Sequence, residues 1–378
     1  MKRSKFNFAI FIVLLCLALS ITGISQTKKE AKFTVSSGDM LEVSIRQGEI
    51  KILTGSGSEV KAVANNIEED ELSLLTMEQK QGKVEIKFKG EDSDDFELEL
   101  TIPEAMNIDL STGGGNISVK SDLKGIVEAS TGGGNISAEN IFGKTDLSTA
   151  GGNIIVRDIN GDADLSTAGG EIKAGTVNGK ADISTAGGSI NVKFVNNSAD
   201  ISTAGGNIQV GDIGGTADIS TAGGNIKVGN VSGSADLSTA GGNISLESAN
   251  GDVEASTAAG NVSLKNIKGS VDASTAAGNI YAELYPEGNK KSELSTAVGN
   301  VTLKVPENSK VTIIATISVL VWSGDNSDMD NIKSDFEPTT VNKRGDKKQI
   351  EVIYQLNGGG PTIELNAAMG EIEIRKLQ

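Results

Sequence analysis

A chain of 378 residues with no histidine, a single cysteine and only 3% aromatic residues has no imidazole or paired thiols for triads or zinc sites, and little with which to fill a wide core. Its 50 acidic and 34 basic side chains leave a net charge of −16, which argues against nucleic acid and anionic membrane surfaces as partners.

Residues 1–25 read as a secretory signal. Lys2, Arg3 and Lys5 precede an apolar run from Phe8 to Ile21, and Gly23 and Ser25 suit cleavage before Gln26. The alternatives are an uncleaved anchor helix and lipid attachment at Cys16, the latter disfavoured by bulky Leu15 and by the apolar run continuing past the cysteine. Cleavage would remove three cations and the lone cysteine together, leaving a more acidic chain without disulfides. No later run makes a membrane span: Val311 to Trp322 falls short of about 20 apolar residues and contains Thr and Ser.

Residues 26–108 carry short alternating runs at Ala31–Val35, Leu41–Ile45, Glu49–Leu53, Val60–Val63, Val84–Phe88 and Phe96–Ile102, ending at Pro103. Alternation of period two marks strands with one buried face. Acidic and glycine-rich connections separate these runs, and the segment is expected to form degenerate coils or a small β cap.

From residue 109 to 304 the chain repeats itself. One serine recurs at Ser111, Ser130, Ser148, Ser166, Ser184, Ser202, Ser220, Ser238, Ser256, Ser274 and Ser295, spaced 19, then 18 eight times, then 21. Eleven copies at so short a period mean stacked structural units. Counting from that serine as zero, position +6 is Ile or Val in every copy, −1 is Leu or Ile through the middle copies, and a third short run centres on +11. Position +4 is glycine in all eleven copies, the mark of a positive φ or of no room for a Cβ. The turns are too short to return a strand antiparallel over a neighbouring copy. The expected fold is therefore all-β: a single-stranded parallel β-helix, or β-solenoid, of about eleven 18-residue coils, rising roughly 4.8 Å per coil.

Residues 305–378 are read as a second β cap. Pro306 breaks the rhythm, Val311–Val321 and Ile350–Tyr354 look like strands, and Gly358-Gly359-Gly360-Pro361 forces a turn. Thr362–Leu365 and Glu371–Ile374 form a worn echo of a coil, and Ser323–Lys348 is the longest candidate loop. Caps at both ends cover strand edges that would otherwise drive end-to-end association.

Three columns of the repeat could carry chemistry. Position −2 is acidic throughout, with Asp146, Asp164, Asp182, Asp200, Asp218 and Asp236 in the central copies. Stacked about 5 Å apart, each adjacent pair repels by roughly 0.9 kcal/mol in bulk water. Divalent cations such as Ca2+ would relieve that, but calcium takes about six to eight oxygens, and the ladder with its serines offers fewer per site. The expectation is no dedicated metal site. Position +5 is asparagine except at Glu171 and Ser189, and it suits a side-chain amide ladder. Position +1 is threonine in every copy, on the inward parity or at the corner, where its hydroxyl is expected to bond a turn carbonyl. No catalytic residues are assigned and no cofactor is expected, because tight turns without aromatic platforms do not suit the paired carboxylates of glycoside hydrolysis.

The signal segment, the β segment ending in Ile102-Pro103, the copies reading like DLSTAGGNI and the terminal GGGPTIEL…GEIEI together resemble the bacterial "putative adhesin" domain family. The resemblance covers nearly all of the exported chain, and the uniformity of these copies departs from the family. It implies a secreted or cell-envelope protein, at the cell surface or in the periplasm, with no catalytic residues to carry over. The expected function is a non-enzymatic adhesion or structural element that binds an unidentified protein or glycan along repeated ladders. The alternatives are a periplasmic sensing module of envelope stress regulation and, remotely, a polysaccharide-active enzyme.

Overall fold

The computed structural model of the chain describes residues 27–90, 95–318, 331–344 and 349–377. The expected signal segment 1–25 with Cys16, Trp322 and parts of the 323–348 stretch lie outside them. Among the described residues the chain is all-β, with long parallel stacks in two sheets, tight turns and one 3-10 turn at Glu71–Leu74. It divides into two compact units between Glu139 and Asn140, inside the repeat region.

In the second unit each repeat supplies two strands, such as Ala217–Thr221 and Ile226–Val231. Each pairs in parallel with its equivalent in the next repeat, Asp218 beside Asp236 and Ser220 beside Ser238 in one stack, Ile226 beside Ile244 in the other. The alternation in the sequence fixes which face is buried. Ala217, Ile219, Ile226, Val228 and Val231 of one repeat are all buried, and their equivalents recur along the unit. Fully burying each branched side chain contributes about 1.5–3 kcal/mol, so the core is a set of aliphatic ladders that needs no aromatics. The third run near +11 makes no third sheet: from Val177 onward it merges with the second strand, leaving only isolated bridges at Ile141–Ile159 and Ile159–Val177.

The glycine at +4 is required by space. A Cβ on Gly224 would lie 1.9 Å from the carbonyl oxygen of Gly206 in the preceding repeat, although the backbone there is outside the left-handed region. A Cβ on its neighbour Gly223 would meet its nearest atom at 3.5 Å. The sequence follows the same rule, for +3 gives way to Ala259, Ala277 and Val298 while +4 stays glycine.

Both units contain worn copies of the repeat. In the first, Met40–Ile45 and Glu49–Gly55 pair in parallel with Asn107–Thr112 and Ile117–Val119 in repeat register, Ser44 beside Ser111 and Ile50 beside Ile117. Residues 56–106 add antiparallel strands to both stacks, closed by a Phe88–Phe96 ring stack at 4.2 Å. In the second unit Thr362–Met369 and Ile372–Leu377 pair with the last full copy, Glu364 beside Glu293. The turn before them carries Gly358 and Gly359 at φ of 91° and 78°, as the glycine run predicts. Two details differ from the sequence reading. Leu75–Lys80 is a strand, and the described part of 323–348 holds short strands at Ile332–Ser334 and Thr340–Arg344 instead of one loop.

Gly224→Ala is expected to lower stability by about 1–3 kcal/mol or more through backbone overlap, while Gly223→Ala leaves it unchanged or slightly raised. Denaturant melts of the two variants check this; equal behaviour would show that crowding at +4 is not what holds the glycine.

Candidate functional site

The surface feature that recurs most regularly is the outer face of the first stack in the second unit. Strands of the form Ala-Asp-Leu/Ile-Ser-Thr bury the first, third and fifth side chains, so the acid at −2 and the serine at 0 point outward and the alanine at +2 follows them on the same face. Parallel in-register pairing turns these positions into three columns running along the stack. The serines and alanines, from Ser166 to Ala276, floor a shallow trough of about 1420 Å3. The acids line two narrower grooves beside it, one around Asp164, Asp182 and Asp200, the other around Asp218, Asp236 and Glu254.

The corner that follows this face is built from main-chain and threonine groups. Thr221 is buried, and its hydroxyl donates to the Gly206 carbonyl of the preceding repeat at 3.0 Å while accepting from the N–H of Gly224 at 3.2 Å. The same pair of bonds recurs at Thr167, Thr185, Thr203 and Thr239, and in the first unit at Thr131. Threonine at +1 is thus inward and structural, as its parity predicts. The asparagine column is structural as well. Asn207 Oδ1 accepts from the main-chain N–H of Asn225 at 2.8 Å and from its side-chain amide at 3.0 Å, and Asn225 does the same for Asn243. Even the exceptional Ser189 accepts the main-chain N–H of Asn207, at 3.2 Å.

A further set of polar ladders lies along the end of the second strand of each repeat and the turn that follows it. Asp212 accepts from both nitrogens of Asn230, Asp162 from the N–H of Lys180, and Asn160, Asn178 and Asn196 hydrogen-bond in series. Asp252 is the most strongly held: Lys290 and the hydroxyl and N–H of Ser270 bring its carboxyl down to about 2. These columns vary in residue type from copy to copy, so periodicity alone did not expose them.

The outward acids behave differently. Burial, and after it the neighbouring carboxylates, raises the carboxyl groups of Asp146, Asp182 and Asp236 above the ordinary aspartate value, with Lys144 opposing this at Asp146. Register places Asp146, Asp164, Asp182, Asp200, Asp218 and Asp236 in one line. Among the described residues no three acidic, His or Cys side chains converge as a metal-ion cage would need. A single file of carboxylates repels along its length.

Fold and face together define an all-β repeat protein with a patterned outer surface. No family model and no curated protein matches the chain. Solved structures similar to it include a "putative adhesin" of Parabacteroides distasonis, at 16% identity and a TM-score of 0.31, covering 70% of this chain and 96% of that one. Another "putative adhesin", from Bacteroides fragilis, is 11% identical with a TM-score of 0.20 and coverage of 94% and 99%. A "putative cell adhesion protein" of Clostridium sporogenes is 13% identical with a TM-score of 0.17 and coverage of 93% and 100%.

A carboxyl whose value is raised in the fold binds its proton more tightly there than in the unfolded chain. The destabilisation therefore sets in as pH rises through the raised values and is complete above them. Asp182→Asn is expected to melt above the parent at neutral pH, with the difference vanishing as pH falls to about 4. Thermal melts at both pH values, in calcium and in chelator, check this; a parent that melts higher than the variant only in calcium would mean that the ladder holds cations.

Proposed function

We propose that the two parallel stacks wind as one single-start β-solenoid with worn copies and antiparallel strands closing its ends, and that the protein is exported to the bacterial cell surface as a non-enzymatic adhesion or structural element. The observation that carries this reading is the outward face of acid, serine and alanine columns, held in one register and repeated without a unique pocket. Identical sites about 4.8 Å apart suit many weak contacts acting together, so that affinity comes from the number engaged rather than from any single one. The partner is a protein or glycan surface able to lie along small side chains, and the acidic balance disfavours nucleic acid. Catalysis is not part of the proposal. A glycosidase sets two carboxyl groups across a substrate with different proton affinities, whereas these acids stand in one line on one face.

Protease treatment of intact cells, followed by mass spectrometry of peptides from residues 111–295, tests the proposal. Release of repeat peptides while a periplasmic marker stays intact is the expected result. Protection until the outer envelope is opened would contradict a surface role and favour a periplasmic sensing module acting through a membrane partner.

A further inference from the structure

A parallel stack ends on a strand whose outer main-chain groups could receive a strand from another molecule. In the first unit, Thr27–Thr34 pairs with Glu59–Ile67 alone and Leu75–Lys80 with Lys83–Phe88 alone among the described residues. These two strands are the N-terminal edges of the two stacks, and side chains from each occupy main-chain carbonyls of the other. Lys29 Nζ donates to the carbonyl of Leu75 at 2.9 Å and reaches that of Leu72 at 3.5 Å. Gln79 Nε2 returns the bond to the carbonyl of Thr34 at 2.6 Å. Lys29 is half-buried while Lys28 and Lys32 on the same strand are exposed. A partly desolvated ammonium on an edge strand is unfavourable without acceptors, so its reach to the opposite edge calls for an explanation beyond solubility.

The C-terminal end of the second unit has a matching arrangement. Ile332–Ser334 covers only Ile372–Ile374 of the last strand of its stack. Beyond that point Asp335 continues the pairing with its own groups. Its N–H donates to the Ile374 carbonyl at 2.9 Å, and its carboxylate accepts from the N–H of Lys376 at 3.1 Å and from Arg375 Nη1 at 2.9 Å. A side-chain carboxylate here takes the place of the next strand's carbonyl.

We propose that Lys29, Gln79 and Asp335 are end guards, side chains that occupy main-chain groups at the edges of the stacks and so keep a second copy of this chain from adding its strands there. The edges are otherwise suited to such addition, because the outward main-chain groups of an edge strand can pair with a strand of either direction and a second copy supplies such strands. The guards set the length of the assembly at one chain. The inference concerns the strand edges and does not depend on what the outer face binds.

The test compares the full chain with Lys29→Met/Gln79→Leu, with Asp335→Ala and with all three changes together, by light scattering across a concentration series and by negative-stain microscopy. Circular dichroism and thermal melts confirm the fold of each. The triple variant is expected to show a several-fold, concentration-dependent rise in mass and unbranched filaments, while the parent keeps a constant mass. Folded variants that keep the parent's mass, or that form only amorphous aggregates, would overturn the proposal, as would filaments of the parent itself. If the N-terminal pair prevents folding, Asp335→Ala reads the other end independently, and its failure to associate under the same conditions would also overturn it.

Discussion

The structure depends on one corner, repeated. In the copies from Thr167 to Thr239 a threonine hydroxyl donates to the glycine carbonyl one repeat back and accepts from a glycine N–H in its own turn. That same carbonyl sits where a Cβ on the +4 glycine would have to go. Next in the chain, the asparagine side chain takes the following copy's main-chain N–H. Three consecutive polar requirements are thereby met between repeats, at the place where the chain leaves one sheet for the other. A buried carbonyl and N–H left unpaired would each cost about 1–3 kcal/mol, so a slip of even one residue would forfeit bonds in every copy. Register follows from the corner, and the aliphatic ladders then pack because register is fixed.

Register also explains why the candidate site is a face. When every copy must superimpose on the last, outward side chains can only form columns, and a column of aspartates carries its own repulsion. Burial first, and the neighbouring carboxylates after it, raises the carboxyl groups of Asp146, Asp182 and Asp236 on this face, while Asp252, tied into a turn by Lys290 and Ser270, shows the opposite shift. Asp252 thus contributes to folding, and Asp146, Asp182 and Asp236 on the open face oppose it. A row of like charges kept in a fold that it disfavours is consistent with a role outside the fold, which is the physical basis for proposing that this face binds.

Much of this was legible in the sequence because the repeat displays its own alignment. Eleven copies show which positions tolerate change, and that is how Thr at +1 and Asn at +5 could be read as structural before their bonds were seen. What was missed lies where the repetition is broken. The worn copy holding Ser44 and Ile50 stands in register with Ser111 and Ile117, yet the intervening antiparallel strands separate it from them and hide the period. Among the described residues Leu75–Lys80 pairs along one edge alone, and it carries Thr, Glu and Gln, so it lacks the alternation of a buried strand. The ladders around Asp212 and Asp162 run in two columns, one mixing Asp, Thr, Phe, Asn and Ser and the other Asp, Lys, Ser and Thr, and only geometry reveals that their oxygens do the same job.

The corner is tested most directly by comparing Thr221→Val with Thr221→Ser. Valine keeps the shape and removes the hydroxyl, leaving the Gly206 carbonyl and the Gly224 N–H without their partner, while serine keeps both bonds. In denaturant unfolding the account predicts a loss of about 2–6 kcal/mol for valine, from two unpaired groups, and a much smaller loss for serine. A valine variant as stable as the parent would contradict it, since register would then rest on the aliphatic ladders alone.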